Sequence, residues 1–233
     1  MARAERAAAA ARTHFEAPLR YRVDGEAIGR GAQKSVYPAL GHPDVVVRVL
    51  HERAQGTLER VTMRHTGPAD PRRLVPFHRE HRNLELARAW GLPAAHILAH
   101  GQAQVDGVRR PADAIARRSM GSKELLSLSH RDRRAYHRWT YTLFGGENGR
   151  QALAQLNLFD RAFKKGLVIE DFQLMFAPGR VEYTDSSGIY DGGKRKDPIT
   201  LYWRAGQTLR LRQMRAMVKD GLRQTQTVPP TAD

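Results

Sequence analysis

The chain has 233 residues and a mass of 26.3 kDa, with 41% hydrophobic and 27% charged residues. That suits one domain of ordinary size, or a domain with a tail, and excludes an intrinsically disordered chain. No apolar run approaches the roughly 20 residues of a membrane span, and the absence of cysteine excludes disulfides, thiolate metal sites and cysteine nucleophiles. Lys and Arg number 39 against 24 acids, a net charge of +15, which favours acidic partners: phosphates, nucleic acid or an acidic protein surface. The basic residues are spread along the whole chain, so the charge alone names no function.

The first 16 residues, MARAERAAAAARTHFE, have a basic start followed by alanines. Glu5 interrupts an apolar run already too short for a secretory signal, so a frayed or docked helix is expected there. Residues 17–50 read as strands: Arg20–Val23, a glycine turn at Gly29-Arg30-Gly31, an extended run from Ser35, a turn at Gly41–Asp44 and the β-branched run Val45–Leu50. A short helix is expected over Thr57–Thr66 and a loop over Pro71–Pro76. Phe77–Trp90 reads as a helix with Leu84, Leu86, Ala87 and Trp90 near one face, stopped by Gly91 and Pro93. Ile97–Gln104 and Ala112–Ala116 read as strands joined across an Asp106-Gly107 turn.

Ser122–Leu128 and Arg131–Phe144 read as helices, with a break at Gly145-Gly146. Gln151–Lys165 carries the clearest helical period, and Gly166 supplies its stop. Leu167–Ile169 is a buried type of strand; Leu174–Phe176 and Val181–Thr184 form a hairpin over Pro178-Gly179. Residues 189–204 look irregular and basic, and Thr208–Leu222 is a closing helix. Strands with one inserted helix, then helices, then a small hairpin make an α+β pattern with two lobes.

Four pieces carry chemistry. Gly29-Arg30-Gly31 lies between two strands, where backbone N–H groups can approach phosphate oxygens closely, although many hairpins have such a turn. Arg48 interrupts the apolar strand Val45–Val49; it either faces outward by alternation or is buried with an anionic partner. Glu80, in the next helix, is a natural partner. Last, a tight hairpin brings together Asp171, Gln173 and Asp185 at its ends. Two carboxylates and an amide oxygen suit Mg²⁺, or one carboxylate can position or deprotonate a hydroxyl.

This ordered set resembles the protein-kinase-like fold: a G-x-G-x-x-G-x-V loop, a strand lysine, a helix glutamate, a catalytic-loop Asp and Asn, and a metal-binding Asp. Gly29, Gly31 and Val36 match the loop, with Lys34 where the third glycine would stand. Arg48 occupies the strand-lysine position and Glu80 the helix-glutamate position. Asp171 stands for the catalytic Asp, Gln173 for the Asn and Asp185 for the metal-binding Asp, followed by Ser-Ser-Gly rather than Phe-Gly. The Asp-Phe-Gln arrangement resembles more narrowly the minimal kinase-like domains of bacterial effectors and polymorphic toxins. The resemblance covers about residues 20–190 and rests on order and spacing more than on identity.

The resemblance implies a two-lobed fold: an N-terminal extension over 1–19, a five-stranded N-lobe over 20–118, a reduced helical C-lobe over 119–224 and a flexible tail over 225–233. It implies ATP and Mg²⁺ as cofactors and a protein substrate, with acidic surfaces favoured by the charge. Gly29, Arg30, Gly31, Lys34, Arg48 and Glu80 would bind the nucleotide, Gln173 and Asp185 the metal, and Asp171 the acceptor hydroxyl. Arg for Lys is not a conservative exchange at a phosphate clamp. Either Arg48 grips the phosphates in bidentate fashion, or Lys34 reaches them from the loop. The chain would act in the cytoplasm or be delivered into a target cell.

Three alternatives stay open: a pseudokinase that binds without transfer, a kinase-fold enzyme that transfers AMP, and a basic nucleic-acid-binding protein. Other constellations carry less. His78 and His81 flank Glu80 but are not spaced as a zinc pair. Ser35, Ser119 and Ser122 lack a nucleophile-elbow context. Trp139, Tyr141 and Phe144 interleave with arginines as in a nucleic-acid-stacking helix, though a core-facing amphipathic helix is the simpler account. Lys194-Arg195-Lys196 is a solvated loop or a dock for an acidic substrate.

Overall fold

The computed structural model describes residues 17–30, 34–51, 75–170, 172–184, 188–193 and 197–227. They form an α+β protein with two compact units. One comprises the residues up to His81 together with His96–Arg117; the other comprises Arg82–Ala95 and the residues from Arg118 onward. The expected helix over 57–66 lies outside the described residues.

The first unit is built on a five-stranded antiparallel sheet: β1 (Gly29–Arg30), β2 (Lys34–Ala39), β3 (His42–Leu50), β4 (Ile97–Val105) and β5 (Val108–Ala116), in the order β1-β2-β3-β5-β4. The β4–β5 hairpin closes on two residues with positive φ, Asp106 at 51° and Gly107 at 77°. That is the turn whose twist matches the strands, as Asp-Gly foretells. The expected turn at Gly41–Asp44 is shorter: Ala39 pairs with His42, and Pro43 and Asp44 already belong to β3. Arg20–Val23 contributes only an isolated bridge, Val23 to Ala39. One sheet face packs a core of Leu19, Tyr21, Val47, Val49, Ala112 and Ala114, among others. Strand alternation sends Arg48, Leu50 and Asp113 to the other face.

Helix α1 (Val75–Ala89) begins earlier than expected; of its expected inner face Leu84 and Ala87 are buried and Leu86 is not. Phe77, Glu80, Asn83, Leu84 and Ala87 are buried, while Leu86 is 39% exposed. The helix turns a carboxylate inward where the apolar count favoured a leucine.

In the second unit, β6 (Met120–Gly121), β8 (Met175–Ala177) and β9 (Arg180–Glu182) form one sheet, and β7 (Leu167–Ile169) pairs with β10 (Ile189–Asp191). The helices are α2 (Ser122–Arg131), α3 (Arg133–Phe144), α4 (Glu147–Lys164) and α5 (Pro198–Thr227). Asp132 separates α2 from α3 and accepts a hydrogen bond from the Ala135 amide, an N-cap. α5 starts ten residues before the expected closing helix and absorbs much of the stretch read as irregular. Glycines allow its close packing. A Cβ at Gly221 would lie 2.3 Å from the Thr140 carbonyl oxygen of α3, and one at Gly149 of α4 would lie 2.5 Å from Leu222 Cγ. Among the described residues, no helix is long and apolar enough to cross a membrane.

Candidate functional site

Arg48 does not face water. It is 5% exposed, and its guanidinium is held by two acids. Nε donates to Asp113 Oδ1 at 2.8 Å and Nη2 to Asp113 Oδ2 at 2.6 Å, a bidentate pair, while Nη1 donates to Glu80 Oε1. Register explains the first contact, because Arg48 and Asp113 are direct cross-strand partners in β3 and β5. Helix α1 explains the second, since Glu80 lies one turn after Phe77, which packs on Leu50.

The network continues on both sides. Lys34 Nζ donates to Glu80 Oε2. His81 Nε2 lies 2.8 Å from Asp113 Oδ2; an ionised carboxylate can only accept, so that nitrogen carries the proton. Lys34 and Arg48 both lie over the Phe77 ring, at 5.6 and 5.9 Å from its centre. Lys34 and Arg48 thus face the carboxylates of Glu80 and Asp113, two cations against two anions. Burial is the strongest single influence on Asp113 and pushes its carboxyl up. The Arg48 charge and the hydrogen bonds from His81 and Arg48 together overcome it and hold the group at about 2, below its ordinary 3.8.

The sequence reading misses Asp113. A signal is present: a lone acid inside Ala112-Asp113-Ala114-Ile115 is as anomalous as a lone arginine inside Val45–Val49. Gly29 and Arg30 form β1, and a Cβ at Gly29 would meet Val36 at an ordinary 3.8 Å, so packing does not require a glycine there. Gly31 lies outside the described residues. Lys34, the first residue of β2, has an 11% exposed side chain, against 6% for Arg48.

In the second unit, Asp171 and Asp185 lie outside the described residues, as do Lys194–Lys196, but the chain around both acids is anchored. The Glu170 amide donates to the Gly188 carbonyl at 2.9 Å, extending the β7–β10 pairing. Gln207 of α5, 2% exposed, completes the free edge of β7: Oε1 accepts from the Ile169 amide at 2.9 Å and Nε2 donates to the Leu167 carbonyl at 3.0 Å. Arg210 Nη1 donates to the Phe172 carbonyl at 2.8 Å, and the Phe172 ring is buried against Phe159 and Phe163. Leu174 is tied to Ser122 by its amide and its carbonyl. Gln173, between these anchors, is half-buried. The expected hairpin over Pro178-Gly179 is present as β8 and β9. Among the described residues, no three His, Asp or Glu side chains gather as a metal site.

Of the interleaved aromatics in α3, Phe144 is buried and Tyr141 is 47% exposed. The helix is therefore amphipathic, with one aromatic left outside.

No family model matches the chain, and no curated protein matches it. Among solved structures it is similar to one described as WaaP in complex with acyl carrier protein, at 12% identity and a TM-score of 0.33, over 94% of this chain and 74% of that one.

Proposed function

We infer that the chain is an ATP- and Mg²⁺-dependent phosphotransferase of protein-kinase-like architecture, acting on a protein hydroxyl in the manner of bacterial effector or toxin kinases. The observation that carries the inference is the buried strand-cation to helix-glutamate pair, Arg48 with Glu80, on a five-stranded antiparallel sheet. The resemblance asks for that pair at those positions.

Within this reading the two cations divide the work. All three guanidinium nitrogens of Arg48 are engaged by Asp113 and Glu80. Arg48 therefore orients Glu80, Glu80 orients Lys34, and Lys34 meets the phosphates from the start of β2. A compact ammonium with three donors suits that contact. Asp185 and Gln173 would hold Mg²⁺, whose contribution is to neutralise phosphate charge. Asp171 orients the acceptor hydroxyl and takes its proton. The backbone and side-chain anchors at Glu170, Phe172 and Leu174 support this reading, because a catalytic carboxylate needs a rigid frame.

The test is label transfer from ATP to a protein acceptor by the purified chain with Mg²⁺. Asp171→Ala and Asp185→Ala are expected to abolish transfer while leaving the melting temperature near that of the parent. Undiminished labelling by both variants would refute the role assignment. The self-neutralised cluster also favours a second reading, a pseudokinase, since it leaves less net positive charge for a triphosphate. Stabilisation by nucleotide without turnover would select it.

A further inference from the structure

The outer side of α5 is built unlike the exposed face of an ordinary surface helix. From Tyr202 to Arg223, every position at alternating steps of three and four residues is exposed. Those steps keep one narrow stripe in line along about 32 Å of helix. The stripe changes character halfway. Its amino-terminal half carries Tyr202, 69% exposed, and Leu209, 58% exposed, with Leu201 at 48% beside them. Its carboxy-terminal half carries Arg212, Lys219 and Arg223, all exposed, with Arg223 also 3.5 Å from the Asp220 carboxylate. Ala205 and Ala216 lie between the large side chains, so another backbone can come close. The opposite side of the helix, with Gln207, Leu211, Met214 and Val218, is buried. α5 is therefore packed through its inner face, and its outer stripe is exposed.

We propose that this stripe is a docking surface for an acidic amphipathic helix of a partner protein, with apolar side chains of the partner against Tyr202 and Leu209 and carboxylates against Arg212, Lys219 and Arg223. Heptad-like spacing on a rigid helix is read best by another helix, and the cations Arg212, Lys219 and Arg223 on the stripe select for an acidic one. A second copy of this chain fits poorly. Parallel pairing of two stripes sets like charges side by side, and antiparallel pairing over the full stripe sets Tyr202 against Arg223, Leu209 against Ala216 and Arg212 against its own copy. Nucleic acid would neutralise the basic half and leave the apolar half in water. The docking requires no nucleotide, so it stands apart from the proposed phosphotransfer.

The experiment uses the whole chain and fluorescent synthetic helices of about 25 residues, with Leu at the packing positions of one half and Glu at those of the other, in both sequence orders. One order is expected to bind, with affinity falling at least about tenfold between 0.05 and 0.5 M NaCl. Leu209→Glu and Arg212→Glu should each weaken binding by about tenfold or more with unchanged melting temperature. A control helix with Lys in place of Glu should not bind. Failure of both orders to bind, or binding indifferent to the two substitutions, overturns the proposal. So does a sedimentation dimer that Leu209→Glu dissociates, or binding to phosphatidylglycerol vesicles in preference to the helices.

Discussion

Replacing Arg48 and Asp113, singly and together, separates a structural strut from a phosphate clamp. In the parent the cluster holds Lys34, Arg48, Glu80 and Asp113, two positive and two negative charges. Arg48→Met leaves one cation and two carboxylates, a net charge of −1 in a site where Asp113 is 0% exposed. Asp113→Leu leaves +1. The double variant leaves Lys34 paired with Glu80 and a net charge of zero. Removing one partner of a buried pair costs about 3–5 kcal/mol, whereas apolar replacement of both is often neutral or stabilising. At about 2–4 °C per kcal/mol for a chain of this size, each single variant should melt roughly 6–20 °C below the parent. The double should recover most of that loss. Differential scanning calorimetry gives the stabilities, and titration with labelled ATP gives affinity for the folded double. If Arg48 is a strut, the double binds nucleotide nearly as well as the parent while Lys34→Ala does not. The reasoning is refuted if the double is no more stable than its singles. The division between the two cations is refuted if nucleotide binding falls as far in the double as in Lys34→Ala.

Acid sensitivity follows from the same cluster. Because the folded state holds the Asp113 carboxyl at about 2 against 3.8, its contribution is full above pH 4 and is lost as pH falls towards 2, about 2 kcal/mol in all. Urea midpoints measured from pH 5 to pH 2 should therefore fall less steeply in the double variant, where this carboxyl is gone. Two glycines in α5 should respond to alanine with opposite signs. A methyl group added at Gly206 would meet no atom within 4 Å, so Gly206→Ala should stabilise by roughly 0.5–1 kcal/mol through helix propensity. Gly221→Ala meets the Thr140 carbonyl at 2.3 Å and Phe144 Cβ at 2.8 Å and should destabilise by about 1–3 kcal/mol, visible as opposite shifts in melting temperature. Gln207→Leu leaves the Ile169 amide and the Leu167 carbonyl without their side-chain partner and should cost about 2–4 kcal/mol. Hydrogen exchange at the Ile169 amide should quicken more than at amides of the five-stranded sheet.

What can be read from the residues is what neighbouring residues decide. The β4–β5 hairpin follows from Asp106-Gly107, and α4 follows from its period, because turn chemistry and periodicity act over a few positions. The partner of Arg48 does not follow, since Asp113 is 65 residues away and only the strand register brings it opposite. Glu80 is recognisable as a partner through the order of motifs, not through its own helix, where the apolar count turns Leu86 inward instead. The early start of α5 escapes the sequence reading although its signals are there. Asp197 accepts from the Thr200 amide at 2.9 Å and from the Thr200 hydroxyl at 2.8 Å, and Pro198 takes the first helical position. They are outweighed because Ile199, Leu201, Tyr202 and Leu209 put apolar residues on the side that faces water and blur the helical period. A helix with apolar residues on both sides of its amino-terminal half hides in a sequence for the same physical reason that it attracts a partner: its pattern serves two faces, only one of which the fold itself uses.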